Sequence, residues 1–368
     1  MASAPAGHEA TKPRRATSSP AKPRAAVTLA EFGRKWTSNE LAREFRRKVK
    51  EIDHHDNASR LEKFVYPLVY APAVLPDDPT YVGCRIGDIP MKDFSLDHGD
   101  FVLNHRSLPE GSIVNVAALI RRICRLAVYP GKVVKACALP PGWAPVSGVP
   151  REKSYIFPSE ERRLLAVTGI PLLRRLLYGF INREGPRKDN AVTIEWSQVT
   201  LDGLPGGGGH IVLDTSKNGR GGSWALDAGT AEALRRWRTI CPSTRFIFPV
   251  EAMPGGRLRD RPMYADKLAE QLRGDLKRAG VTRPKLFENS KHRMRLRAHD
   301  LRGTFVTLSL ANGRSEPWVA TRTGHRSTLM ISRYKTEAMT AEELRLGELA
   351  PLHLAIPELA GLEPKASA

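Results

Sequence analysis

The chain has 368 residues and a formal charge of +19 at pH 7, from 58 Lys and Arg against 39 Asp and Glu. That length admits two domains with separate cores, and a positive excess this large points to a polyanionic partner, nucleic acid ahead of an anionic membrane. No apolar run is long enough to span a bilayer. Cys84, Cys124, Cys137 and Cys241 are scattered, with no Cys-x-x-Cys pair, which argues against a disulfide framework or zinc centre; with no secretory leader, the expected setting is reducing and cytoplasmic.

Residues 1–27 are rich in Ala, Pro, Ser, Lys and Arg with almost no large apolar residue, so they read as a disordered basic tail. Over 28–142 three apolar series recur at helical spacing. They are Leu29, Phe32, Trp36, Leu41 and Phe45; Leu61, Phe64, Val65 and Leu68; and Ile113, Val116, Leu119, Ile120, Ile123 and Leu126. The last carries Arg121, Arg122 and Arg125 on its outer faces. Between the second and third series, residues 76–112 read as a long connection. The result is an all-α domain whose basic faces suit either phosphate contact along a duplex or plain solvation. Asp53-His54-His55-Asp56 is no metal site, because adjacent residues on a helix face apart; it reads as a solvated helix end.

Pro145, Gly148 and Pro150 mark a linker over 143–155, and a second domain runs from 156 to 368. Ser159 suits an N-cap, with Glu160 and Glu161 in the first turn. Leu164, Leu165, Leu172, Leu173, Leu176 and Leu177 give two helices parted by Gly169 and Pro171. Gly185-Pro186-Arg187 opens a further helix that leaves through Trp196-Ser197 into a strand. Taken alone, Arg187 is an arginine at a helix start, where positive charge is mildly unfavourable. His210–Asp214 and Ser223–Leu226 flank Asn218-Gly219, the strongest hairpin signal in the chain, and Lys217 precedes that turn. Thr230 is expected to cap a helix bearing Leu234 and Trp237, and Arg245–Pro249 to be extended. Leu268, Leu272 and Leu276 form another amphipathic helix closed by Gly280. A basic run over 281–298 then delivers the chain to His299.

His299-Asp300-Leu301-Arg302 places an imidazole and a guanidinium on one helix face. Gly324-His325 sits at a turn suited to a helix end, and Tyr334 follows nine residues later. Arg grips phosphate oxygens bidentately, His moves protons near neutral pH and Tyr can serve as a covalent nucleophile. The string His299-x-x-Arg302…Gly324-His325…Tyr334 resembles the C-terminal signature of the tyrosine recombinases, the phage-integrase family.

The resemblance implies a fold that is mainly α with a small antiparallel β-sheet in an α+β catalytic domain, joined to an N-terminal all-α DNA-binding domain, the two closing as a C-shaped clamp around DNA. Aligned on Trp196-Ser197, the family's first catalytic arginine falls on Arg187, and its hairpin lysine falls on Lys217. Asn190 stands where the family usually has a carboxylate, and is expected to support Arg187 by hydrogen bonding without charge. Gly303 and Ile331 also replace more usual residues. The implied catalytic set is therefore Arg187, Lys217, His299, Arg302, His325 and Tyr334, working without metal, nucleotide or other cofactor.

The implied function is site-specific recombination or integration of double-stranded DNA through a 3′-phosphotyrosyl intermediate, by a homo-oligomer that is a tetramer at synapsis. Alternatives are a DNA-relaxing type IB topoisomerase, a hairpin-forming resolvase, or a DNA-binding protein that does not cut. Beyond Tyr334, Leu344, Leu346, Leu349, Leu352, Leu354 and Ile356 form an apolar tail, expected to dock either on a neighbouring protomer, as in the family, or on its own chain.

Overall fold

Thr28 starts the first helix with a capping box. Its hydroxyl accepts from the Glu31 amide at 3.2 Å, while Glu31 Oε2 accepts from the Thr28 amide at 2.8 Å, so two otherwise orphaned donors are satisfied. The computed structural model describes residues 26–71, 83–145, 151–204, 208–213, 222–250, 260–325 and 327–362. Contacts divide the chain into Met1–Gly148 and Val149–Ala368. The expected basic tail lies almost wholly outside the described residues.

The first unit contains α1 (Leu29–Thr37), α2 (Glu40–Glu44), α3 (His55–Phe64), α4 (Leu96–Asn104) and α5 (Glu110–Val128). Leu29, Phe32, Trp36, Leu61, Val116, Ile120 and Ile123 are among the side chains that fill its core. It departs from the sequence reading in three places. A two-stranded antiparallel ladder, β1 (Val69–Tyr70) with β2 (Cys84–Arg85), means that the unit is not all-α. The expected connection over 76–112 contains α4, which is closed at its start by the Ser95 amide donating to His98 Nδ1 at 3.0 Å. Asp97, Gly99 and Asp100, poor helix formers, hid that helix in the sequence. His54 is not solvated: it is 4% exposed and meets the Trp36 ring edge-on at 4.8 Å, and burial lowers its pKa.

The second unit contains α6 (Pro158–Ala166), α7 (Leu172–Glu184), α8 (Lys188–Val192), α9 (Ala228–Ile240), α10 (Leu268–Arg278), α11 (Ala298–Ala311), α12 (Glu316–Thr323), α13 (Thr328–Ser332), α14 (Lys335–Glu343), α15 (Leu352–Ala355) and α16 (Pro357–Ala360). Its antiparallel sheet has the order β3 (Val199–Thr200), β4 (His210–Leu213), β5 (Gly222–Ala225), with Ile211 opposite Trp224. The described chain is thus mainly helical with small antiparallel sheets. None of its helices is long and apolar enough to cross a membrane.

Two helix starts differ from expectation. Pro158 is the first residue of α6, so Ser159 lies inside the first turn, and Glu160 Oε2 accepts from the Phe157 amide at 2.9 Å. Asp227 caps α9 by accepting from the Thr230 amide at 2.9 Å, so Thr230 lies one turn inside. α11 is wrapped by α7 and α14; ten of its residues, from Ala298 to Leu308, are buried. It is the axis on which the site is built.

The apolar tail docks on its own chain. Leu352, Ala355, Ile356 and Leu359 enter the main core of this unit. Arg175, completely buried, donates from Nη1 to Glu358 Oε2 at 2.8 Å and from Nη2 to Glu358 Oε1, while Leu165 and Ile170 carbonyls accept its other donors. The Arg175 guanidinium holds the Glu358 carboxyl below its ordinary pKa. A depressed carboxylate pKa contributes stability that is present above the unfolded value and lost as pH falls through the folded one. Glu358→Ala, which leaves Arg175 buried without its counter-charge, is expected to cost about 2 kcal/mol in urea unfolding at neutral pH. Glu62→Ala in the exposed Arg34–Glu62 pair should cost no more than about 1 kcal/mol; equal losses would mean that the tail pair is solvated.

Candidate active site

Two helix C-termini create the site. α7 ends on Gly185, whose φ of +69° is the left-handed conformation and whose Cβ, were there one, would collide with the Phe305 ring; only glycine fits both demands. The next turn carries Arg187 in extended conformation at the N-cap of α8. α12 ends on Gly324, φ +64°, and the His325 amide donates back to the Ala320 carbonyl at 3.1 Å. That reversal returns the His325 ring toward α11.

Arg302 of α11 joins the two ends. Its Nη1 donates to the Gly185 carbonyl at 2.9 Å, and its Nη2 donates to the Thr323 carbonyl and, at 3.2 Å, to His325 Nε2. The Thr323 hydroxyl donates to the Val319 carbonyl at 2.6 Å and lies 2.8 Å from His325 Nδ1. With that hydroxyl proton committed, the imidazole proton must be on Nδ1, which leaves Nε2 as the acceptor facing Arg302.

Like charge is concentrated here. Arg302 is 3% exposed; burial first, then the Arg187 charge, push its pKa down to about 10, still well above neutrality. Burial, followed by Arg302, Arg187 and His299, pushes His325 down to about 4. His299 opens its side chain to solvent, yet desolvation and then Arg302 lower its pKa, against an opposing pull from Asp300. Both imidazoles are therefore neutral at pH 7. Two guanidiniums held together with two deprotonated bases make a pocket that an anion would relieve.

Tyr334, the residue before α14, packs with Phe305, Val306, Val319 and Ile331. A Cβ on Gly303 would lie 3.4 Å from its Cε1, so the ring rests directly on the face of α11 next to His299. It lines a cavity of about 370 Å³ with Lys153, Asp300, Gly303, Thr307 and Arg333. Desolvation, then the Asp300 charge, raise the phenol pKa, while Arg302 and Arg297 pull it down. The structure thus brings Arg187, His299, Arg302 and His325 together with Tyr334 alongside. Asn190 is half-buried on α8, three residues after Arg187. Lys217 lies outside the described residues, although β4 and β5 on either side of it pair as expected.

The phage integrase family matches residues 155–341, just over half of the 368 residues. The chain belongs to the phage integrase family. No curated protein matches it. Among solved structures it is similar to a lambda integrase tetramer bound to a Holliday junction, at 17% identity over 84% of this chain and 78% of that one, TM-score 0.56. It is also similar to the Tn1549 transposon integrase in complex with a circular-intermediate DNA, at 13% identity over 88% and 100%, TM-score 0.56. A third is the XerH site-specific recombinase bound to palindromic difH substrate, at 16% identity over 70% and 73%, TM-score 0.51. At such identities the likeness establishes the fold.

Several residues that shape this integrase-family site escaped the sequence reading. Glu184, completely buried, accepts from Trp224 Nε1 at 2.8 Å, the Asp227 amide at 2.9 Å and Arg322 Nη1 at 3.1 Å. Arg322 Nη2 also donates to the Ala225 carbonyl at 2.6 Å. These bonds tie α7, β5, the start of α9 and α12 around one carboxylate. Its only signal in the sequence was a charged residue at the end of a helix that is otherwise apolar on several sides. Thr323, two residues before His325, could have been found as the partner that sets the imidazole tautomer.

His325 offers a direct check. Its folded pKa lies below the unfolded value of 6.5, so its contribution to stability is intact above that pH and is lost as pH falls toward 4. In NMR spectra of the free protein, His325 is expected to carry its proton on Nδ1 and to titrate near 4. Titration at the ordinary 6.5, or a proton on Nε2, contradicts the Arg302–His325–Thr323 chain.

Proposed function

We propose that this protein is a site-specific DNA recombinase or integrase that cuts and rejoins duplex DNA through a 3′-phosphotyrosyl intermediate. The observation that carries the reading is the convergence of Arg187, His299, Arg302 and His325, beside Tyr334, in a cluster with excess positive charge. A phosphodiester supplies the missing anion. Arg187 and Arg302 neutralise its non-bridging oxygens, the electrostatic stabilisation that dominates in phosphoryl transfer. The donors of Arg302 that are not taken by the Gly185 and Thr323 carbonyls and His325 Nε2 are left for the phosphate. As phosphate enters, His325 Nε2 turns from accepting to donating, which requires that it gain a proton; added negative charge raises its pKa in that direction.

The phenol of Tyr334 is a poor nucleophile until its proton leaves. His299, neutral at pH 7, takes part in that proton transfer. The phenolate oxygen attacks phosphorus, the bond from phosphorus to the 5′-oxygen breaks, and Lys217 protonates the departing 5′-oxygen to leave a 5′-hydroxyl. The phosphotyrosyl ester conserves the bond, so a 5′-hydroxyl of a second strand reverses the step with a new partner.

In this reading the domain over 28–142 and the catalytic domain over 156–368, joined by the linker over 143–155, close on DNA as a C-shaped clamp. The protein works as a homo-oligomer, a tetramer at synapsis; the similar lambda integrase forms a tetramer on a Holliday junction. Asn190 supports Arg187. A purified sample mixed with a randomised pool of nicked duplexes, in the presence of chelator, is expected to yield a covalent protein–DNA adduct on a denaturing gel. Tyr334→Phe should yield none and still bind. An adduct that survives Tyr334→Phe removes that residue as nucleophile, and binding without any adduct favours the non-cutting alternative.

A further inference from the structure

The segment over 152–156 is a strap held on both sides. The Glu152 amide donates to the His292 carbonyl at 2.8 Å, and the Met294 amide donates to the Glu152 carbonyl at 2.9 Å, forming a parallel bridge between Glu152 and Arg293. Arg293 also takes the Glu152 carboxylate. Ser154 is buried, and its hydroxyl donates to the Lys285 carbonyl at 2.8 Å. The Ile156 amide donates to Thr304 Oγ1 of α11 at 3.0 Å. Of residues 153–156, Lys153 alone is exposed. Lys153 lines the cavity that holds Tyr334 and Asp300, which Ser154 and Glu337 also border.

We propose that Lys153 is a DNA-phosphate contact of the reaction site, an ammonium presented by a rigid strap so that a strand enters the Tyr334 cavity with a phosphate between it and His299. The assignment rests on the function proposed above and adds to it a cation from outside the recombinase signature. A lysine suits this place because its long stem and compact charge follow a moving phosphate without a fixed fork geometry. The charge is close enough to His299 to be felt: after burial, Arg302, Arg297 and Lys153 lower the imidazole pKa, against Asp300. Lys153 thereby also helps to keep His299 neutral before DNA arrives. Its neighbour Glu152 does not cancel it, because that carboxylate is committed to Arg293.

The test uses the full chain, Lys153→Gln and Lys153→Arg, with a short random-sequence duplex as the probe. Removing one phosphate contact should make the dependence of log affinity on log salt shallower by about one in Lys153→Gln, and Lys153→Arg should restore the wild-type slope. In the free protein, NMR titration should find His299 ionising at higher pH in Lys153→Gln than in wild type. Neither readout needs cleavage, so a protein that bound DNA and never cut it would still decide the role of Lys153. A Lys153→Gln protein with the wild-type salt slope overturns the phosphate contact, and an unmoved His299 titration overturns the electrostatic link.

Discussion

A single buried guanidinium fixes where everything else in the catalytic unit must stand. Arg302 can stay charged at 3% exposure only because two peptide carbonyls, Gly185 and Thr323, and one imidazole accept its donors. Each acceptor sits at a helix end that glycine has turned. A second tie lies one residue away on both partners: Glu184 precedes Gly185, Arg322 precedes Thr323, and the two form an ion pair. α7 and α12 are thus clamped twice at the same level, once through charge and once through backbone carbonyls. Arg187 and His325 follow these clamped ends by two residues or fewer, so their positions are inherited from the ties.

The clamp holds like charges together, and that has a chemical use. Burial first, and then neighbouring positive charge, lowers the pKa of Arg302, His299 and His325, which leaves the histidines neutral beside two guanidiniums. A folded protein tolerates such strain where the rest of the structure over-determines it. Here the surplus comes from the tail. α15 and α16 seal the core beneath α7 and α9, where the buried Arg175 pairs with the partly exposed Glu358. Tyr334 rests on a glycine of α11 and borders a cavity.

What could be read from the sequence was what side chains announce. His299, Arg302, Gly324, His325 and Tyr334 carry their chemistry in their names, and their order matched a family whose model spans residues 155–341. The Asn218-Gly219 turn signalled the pairing of β4 with β5 correctly. Backbone acceptors announce nothing: no letter marks Gly185 and Thr323 as the carbonyls that hold Arg302. Nor does a lone glutamate show that it will be buried, as Glu184 is, until the three donors that converge on it are placed. Ser159 and Thr230 were sound N-caps by propensity, yet Pro158 opened α6 one residue earlier and the Asp227 carboxylate made the charge-assisted bond that caps α9. The leucines of the tail showed an apolar face without showing which surface would cover it. His54 lay in a polar string whose neighbours concealed its contact with Trp36.

With DNA bound, Arg187, His299 and Arg302 are expected to surround one phosphorus atom in line with the Tyr334 oxygen. A crystal structure with vanadate and a nicked duplex, in which vanadium stands in for the phosphorus in trigonal-bipyramidal form, measures this directly. The expected result is vanadate bonded to Tyr334 Oη and to the 5′-oxygen, with Arg187 and Arg302 on its equatorial oxygens. Vanadate bound elsewhere, or at Tyr334 with Arg302 still turned wholly toward the Gly185 and Thr323 carbonyls, would contradict it.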